Sequence, residues 1–163
     1  METRYNLLLA FSLCAAVTLQ AELPTKKVLT LGMAKKLVAA AEAEAKKRGA
    51  TVVIAVVDDG GQLILLERLD DTQVASVEVA IGKARTAAIF RRPSKVFEDQ
   101  VKNGRVAALA LPGATPLQGG IPITVEGKVI GAIGASGNSP QEDEEIALAG
   151  AAVTASAVQE EGR

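Results

Sequence analysis

Residues 51–57 form an unbroken run of β-branched and apolar side chains. Because both alternations of this run are apolar, it predicts a strand that is covered on both faces of a sheet. Asp58-Asp59-Gly60-Gly61 follows, and these residue types tolerate the positive φ angles of a tight turn. Gln62 to Arg68 then resumes an apolar strand. The sequence therefore predicts an antiparallel hairpin whose first strand is central in its sheet.

The first and last predicted helices carry local start and stop signals. Thr30 stands at an N-cap position, and apolar residues follow at helical spacing until Gly49 supplies a C-terminal stop. Ser139-Pro140-Gln141-Glu142 is a capping box with proline at the first helical position. It predicts a terminal helix that runs to about Gln159.

Two further helices are predicted between these ends. Asp71 or Thr72 can cap a second helix that ends before Pro93, and Ser94 can cap a short third helix. The third helix is expected to end at Asn103-Gly104. The apolar stripe of the second helix is expected to consist of Val74, Val77, Ile81, Ala84 and Ala88.

A second hairpin is predicted from Ile121 to Ala135, with its turn at Glu126-Gly127. Val106 to Leu111 is interpreted as one more strand. A chain of 163 residues with 48% hydrophobic content fits one domain with a sizeable core. The predicted fold class is therefore α/β of the α+β type, with one antiparallel sheet of about five strands flanked by helices.

The first residues have the order of a secretory signal peptide. Arg4 precedes an apolar run from Leu7 to Leu19, and Ala21 provides a small residue at a cleavage site. The run is shorter than the ~20 residues that span a bilayer as a helix. We therefore expect residues 1–21 to be a signal peptide and residues 22–163 the domain, in the periplasm or secreted, without stable membrane insertion.

Composition removes several classes of site from the mature chain. The sequence has no His, and its one Cys and one Tyr, Cys14 and Tyr5, lie in the predicted signal peptide. Ser-His-Asp and Cys-His catalysis and His- or Cys-ligated metal sites are thereby excluded. A formal net charge of -1 gives no global field that would attract nucleic acid.

Basic residues of the second helix and its end are candidate ligand contacts. Lys83, Arg85, Arg91 and Arg92 can present a basic surface to a carboxylate or phosphate, although charges on helices are more often solvated. Ser76 lies on the face of Lys83, but seven helical positions separate the two by about 10 Å, which is too far for proton transfer.

Glycines supply the remaining candidate positions. Gly119 and Gly120 can expose backbone N–H groups to an anionic ligand or simply form a tight bend. Gly134 lies among the glycines of a predicted strand, where glycine indicates close packing more often than close approach of a ligand.

Several ordered blocks carry a more specific signal than any single motif. They are Val57-Asp58-Asp59-Gly60-Gly61-Gln62-Leu63, then Ser76 with Lys83-Ala84-Arg85-Thr86-Ala87-Ala88-Ile89-Phe90 and Arg92-Pro93-Ser94, then Gly119-Gly120-Ile121-Pro122-Ile123, and last Gly131-Ala132-Ile133-Gly134-Ala135-Ser136-Gly137 with Gln141-Glu142-Asp143-Glu144. With these blocks, over roughly Leu29 to Val158, the chain resembles the GlcG/HbpS-like haem-binding, haem-degrading family, which is related to the PduO C-terminal domain.

The resemblance implies a profilin-like α/β/α fold, assembly into homo-oligomers and, for some members, binding or oxidative breakdown of haem. After cleavage only Met33 remains of the usual haem-ligating residue types. We therefore expect haem to dock through its propionates on Lys83, Arg85 or Arg105, with Thr115 or Met33 as weak axial contacts.

Three hypotheses follow for the function. The first is an exported, oligomeric protein that binds a small ligand, haem or another anionic tetrapyrrole, between the second helix and the glycine-rich loops. The second is a cofactor-free enzyme for a small carboxylated metabolite, with Lys83 and Asp58 or Asp143 as acid/base groups. The third is a structural accessory of a sensing or metabolic system.

Overall fold

One antiparallel sheet organises the chain. A computed structural model describes residues 23–161, with side chains described to Thr154, so the predicted signal peptide lies outside the described residues. Both predicted hairpins are confirmed, and in this range the sheet has four strands in the order β2-β1-β4-β3. The strands are β1 (Val53–Asp58), β2 (Leu63–Arg68), β3 (Gly120–Val125) and β4 (Lys128–Ser136).

Helices cover both faces of the sheet. The helices are α1 (Leu31–Arg48), α2 (Ser76–Ile89), α3 (Lys95–Lys102) and α4 (Pro140–Glu161). α1 and α4 pack together over one face, and α2 covers the other. The predicted α+β class and α/β/α layering are confirmed. Between residues 23 and 161, the helices are all too short or too polar to cross a membrane.

The central position of β1 follows from its sequence. The side chains from Val53 to Val57 alternate between the core beneath α1 and α4 and the core beneath α2, and all of them are inaccessible to solvent. The strand is therefore buried on both faces, as the unbroken apolar run predicts. The residues toward α1 and α4 include Ile54 and Val56, and those toward α2 are Val53, Ala55 and Val57.

The signals at the ends of α1 and α4 are confirmed by hydrogen bonds. The Thr30 hydroxyl accepts a hydrogen bond from the Met33 amide at 3.2 Å, and Gly49 adopts the left-handed conformation that ends α1. At the start of α4, the Ser139 hydroxyl donates to the Glu142 carboxylate at 2.7 Å. Both helices therefore begin where their capping residues predict.

The strand predicted over Val106 to Leu111 is wrong, because Val106–Ala110 forms a 3₁₀ helix. Its amides bond backward along the chain, from Ala108 to the Arg105 carbonyl and from Leu111 to the Ala108 carbonyl. Alanine makes up much of the segment and lacks the β-branching that favours a strand.

Two predicted helix caps also lack the expected hydrogen bond. α2 begins at Ser76, because the Thr72 hydroxyl donates to the Leu69 carbonyl in a turn that precedes the helix. α3 does begin directly after Ser94, as predicted, but the Ser94 hydroxyl donates to the Leu117 carbonyl at 2.5 Å instead of accepting a hydrogen bond from a helical amide. Thr72 therefore does not mark a helix start, whereas Ser94 marks one by its position alone.

Candidate functional site

A buried ion pair joins the second helix to the last one. Lys83 Nζ lies 2.7 Å from Asp143 Oδ2 and donates to the Ala135 carbonyl oxygen at 3.0 Å. The other carboxylate oxygen accepts the Asn138 amide hydrogen bond at 3.0 Å. Lys83 and Asp143 are only 3% and 2% exposed. The pair therefore ties α2, β4 and α4 together without contact with bulk solvent.

Lys83 was predicted to belong to a basic surface, and its position in the structure contradicts that prediction. Successive helical residues turn by about 100°, so Lys83 and Arg85 point to nearly opposite sides of α2. Lys83 shares the buried side of α2 with Ala80, Ala84 and Ala87. Burial raises the pKa of Asp143, while the hydrogen bond and the positive charge of Lys83 oppose that rise.

The same geometry limits the acid/base hypothesis. The structure brings Lys83 and Asp143 within hydrogen-bonding distance, but it leaves a small metabolite no exposed surface on either group. Asp58 lies elsewhere, where its Oδ1 accepts the Gln62 amide hydrogen bond at 2.8 Å in the first hairpin turn. The arrangement is that of a structural ion pair rather than of an open acid/base site.

The loop glycines form a tight bend around this pair. A Cβ atom at Gly119 would lie 3.0 Å from Lys83 Nζ, and one at Gly120 would overlap the Lys83 carbonyl group. The Gly120 amide donates to the Ser94 hydroxyl at 2.8 Å. This amide is therefore already bonded within the protein and is not offered to an anionic ligand.

Gly134 and Ser76 also lie inside the fold. Gly134 is covered by α2, because a Cβ atom there would overlap the Ala80 carbonyl oxygen. Ser76, the first residue of α2, is fully buried, and its hydroxyl has no hydrogen-bond partner among the described residues. Neither position is open to a ligand, although both were candidate ligand contacts.

The outer face of α2 meets two loops along a line that we call the α2 seam, formed by Gly82, Arg85 and Ile89 of the helix with Gly61, Gly113 and Thr115. Arg85 Nε donates to the Gly61 carbonyl at 3.1 Å. A Cβ atom at Gly113 would lie 3.2 Å from the end of the Ile89 side chain. The ligand position predicted between α2 and the glycine-rich loops is therefore occupied by direct packing.

Thr115 is held in the α2 seam by its backbone. Its amide donates to the Thr86 hydroxyl at 2.7 Å, and that hydroxyl donates to the Gly82 carbonyl at 2.8 Å. The Thr115 hydroxyl lies directly over Gly82, where a Cβ atom would overlap it. Thr86 and Gly82 were missed as positioning residues, since their role depends on which loop packs over the helix.

Several exposed apolar side chains lie in or near the α2 seam along the chain. Val106 and Leu109 of the 3₁₀ helix and Leu117 of the following loop keep much of their side chains in solvent, and Ile89 is also exposed. We call these four residues the apolar loop face. Arg105 precedes the face and donates to Gln100 of α3. The apolar run after Arg105 was visible in the sequence but was interpreted as a strand.

The remaining predicted contacts lie apart from the α2 seam. Met33 packs against the core formed with α1, on the other side of the sheet. Arg92 lies over the Phe97 ring, 5.9 Å from its centroid, and Arg91 follows the end of α2. Within residues 23–154, no group of three or more acidic, His or Cys side chains is placed to hold a metal ion.

Comparisons with known proteins agree on one family. The model of the family described as "Haem degrading protein HbpS-like" matches residues 29–152. Protein GlcG of Escherichia coli K12 is 46% identical over 112 residues, which cover 69% of this chain and 84% of GlcG.

Solved structures give the same result. A double mutant of Streptomyces reticuli HbpS superposes with a TM-score of 0.75 at 34% identity, covering 85% of this chain and 97% of that one. A PduOC:haem complex superposes with a TM-score of 0.71 at 27% identity, covering 77% and 94% of the two chains. The chain belongs to the HbpS-like family.

Proposed function

We propose that this protein is exported, assembles into a homo-oligomer and binds haem or a related anionic tetrapyrrole on the apolar loop face beside the α2 seam. A tetrapyrrole of this kind combines a broad apolar ring with carboxylate side chains. Its binding site must therefore combine exposed apolar surface with cations. The proposal depends on finding both in one region of the chain.

The observation that carries the proposal is the exposure of Val106, Leu109 and Leu117, with Arg105 before them in the chain and Arg85 in the α2 seam. Val106 and Leu109 are each more than 60% exposed. Exposed apolar side chains close together are typical of binding surfaces. Arg85 is only partly exposed, so a carboxylate beside it would be less screened than one at a fully solvated arginine.

The side chains of this region fit a haem whose propionates are bound by arginines and whose ring is covered by apolar residues. Beyond residue 22 the sequence has no His, Cys or Tyr, and Met33 packs on the far side of the sheet. Arg85 and Arg105 would bind the propionates, and the apolar loop face would cover part of the ring. Haem supplies redox and oxygen chemistry when bound. The Thr115 hydroxyl packs over Gly82 in the α2 seam, so it is not placed to ligate the iron.

The binding proposal predicts a Soret shift when haemin is titrated into the purified protein at micromolar concentration. Arg85→Ala removes a charge-assisted hydrogen bond to a propionate and should weaken binding about tenfold or more. Visible absorption measures both effects. Arg48→Ala is the control, because Arg48 pairs with Glu44 on α1 in the opposite layer. The absence of a Soret change with the wild-type protein would contradict the proposal.

Export is supported by the residues before the domain. A signal peptide over residues 1–21 would be removed after Ala21, so the secreted protein should begin at Glu22. Intact-mass measurement of protein recovered from the periplasm or medium should show this loss. Recovery of a cell-associated chain that still begins at Met1 would contradict export with cleavage.

Oligomerisation is supported by surfaces that a single chain leaves uncovered. β2 is an edge strand of the sheet, and Leu63 at its start is exposed. Val74, in the turn that leads to α2, is also largely exposed. An edge strand with apolar side chains nearby favours pairing with another chain, which agrees with a homo-oligomer.

A further inference from the structure

A second concave region lies away from the α2 seam. A cleft of about 630 Å³ is bounded by the segment before α1, the turn between β1 and β2, the turn between β3 and β4, and Arg91, which lies two residues beyond the end of α2. Its volume is within the range of small-molecule sites. The charged residues that line it are Lys26, Lys27, Asp59, Arg91, Glu126 and Lys128.

The charges of this cleft do not balance. Lys26 pairs with Asp59 at 2.5 Å, and Lys27 pairs with Glu126 at 2.6 Å. Arg91 and Lys128 form no ion pair within the part of the chain that the structure describes. Two positive charges therefore remain without partners on the walls of one cleft.

The backbone at Arg91 departs from the preference of an arginine. Its φ is 55°, and the amides of Arg91 and Arg92 donate back to the carbonyls of Ala88 and Ala87 at the end of α2. Glycine is the usual residue in this left-handed position because it has no Cβ atom. An arginine here places a guanidinium on the cleft despite backbone strain, and such strain is concentrated at functional positions.

We propose that this cleft binds a small dianion with carboxylate or phosphate groups, held by Arg91 and Lys128. The planar guanidinium of Arg91 can donate two parallel hydrogen bonds to either group, and the Lys128 ammonium adds a compact charge. The paired Lys26–Asp59 and Lys27–Glu126 form polar walls that contribute no net charge. This site is independent of the tetrapyrrole site, since Arg85 and the apolar loop face do not line it.

Calorimetric titration of the full protein with inorganic phosphate and, separately, with succinate tests the site. The wild-type protein should bind at least one of these dianions saturably, and chloride should not compete at equal concentration. Arg91→Gly removes the cation but suits the left-handed backbone. It should weaken binding about tenfold or more while leaving the thermal midpoint unchanged or higher.

Two further variants make the result decisive. Lys128→Ala, on the other side of the cleft, should also weaken binding, whereas Arg92→Ala should not, because Arg92 lies over Phe97 outside the lining. The two probes distinguish a phosphate ligand from a dicarboxylate. No saturable binding of either probe up to millimolar concentration, or equal binding by wild type, Arg91→Gly and Lys128→Ala, would overturn the proposal.

Discussion

Replacing Lys83 with methionine should lower the free energy of unfolding by about 3–5 kcal/mol, because it leaves the Asp143 carboxylate buried without its cation. Methionine retains most of the length of the lysine side chain, so the change is mainly in charge and hydrogen bonding. The lost contacts are the 2.7 Å ion pair with Asp143 and the 3.0 Å hydrogen bond to the Ala135 carbonyl. Urea denaturation followed by circular dichroism measures the change.

An exposed ion pair provides the matched control for this prediction. Lys95 donates to both carboxylate oxygens of Asp99 at 2.8 Å, yet both side chains are well exposed to solvent. Lys95→Met should therefore have a much smaller effect than Lys83→Met. Combining Lys83→Met with Asp143→Leu should recover most of the lost stability, since no unpaired charge remains. Equal effects of the two single lysine variants would show that burial of the Lys83 pair is not what matters.

The stabilising role of Lys83 could not be predicted from helical periodicity. Lys83 was predicted to be a surface cation or, with Asp58 or Asp143, an acid/base group. Its burial could not be predicted, because it depends on packing against Asp143, 60 positions away in the chain.

The predicted apolar stripe of α2 was mostly correct, since Val77, Ile81, Ala84 and Ala88 pack on the sheet. Val74 is the exception, because it is exposed and precedes the helix. Ala80 and Ala87 are also buried on this side of α2, although the prediction did not include them.

Local signals predicted the sheet and most helix ends. The apolar run of β1, the two glycine-containing turns and the Thr30 and Ser139 caps each act within a few residues of the chain. Such signals remain valid whatever the distant chain does. Ser94 shows the limit of this reasoning, because its hydroxyl is oriented by the Leu117 carbonyl and the Gly120 amide.

The candidate site was only partly predictable, because its contacts also depend on parts of the chain that are distant in sequence. Arg85 of α2 and Thr115 of the glycine-rich loop do lie along the α2 seam, but the loop packs directly on the helix through Gly113 and Thr115. Val106 and Leu109 of the apolar loop face were predicted to lie in a strand, and their exposure could not be judged from composition. The cleft at Arg91 depends on four segments that are far apart in the sequence.

The close approach of α2 to β4 leads to the second large effect. Gly134→Ala should lower the free energy of unfolding by about 3 kcal/mol, because the added Cβ atom would overlap the Ala80 carbonyl oxygen and lie 2.7 Å from the Ala84 nitrogen. Both atoms belong to the backbone of α2, so no side-chain rotation relieves the overlap. Relief requires α2 to move away from the sheet, and the shift in the thermal or urea midpoint measures its cost.

A second glycine-to-alanine change separates this overlap from the general effect of the substitution. Gly32 lies in the first turn of α1, where the nearest atom to an added Cβ atom would be the Thr30 hydroxyl oxygen at 3.8 Å. Gly32→Ala should be neutral or stabilising by up to about 1 kcal/mol, because alanine favours the helix. If Gly134→Ala were equally well tolerated, α2 could not be held against β4 by backbone contact. In that case α2 would move away from the sheet at little cost, and the Lys83–Asp143 pair, whose lysine belongs to α2, would have to tolerate this movement.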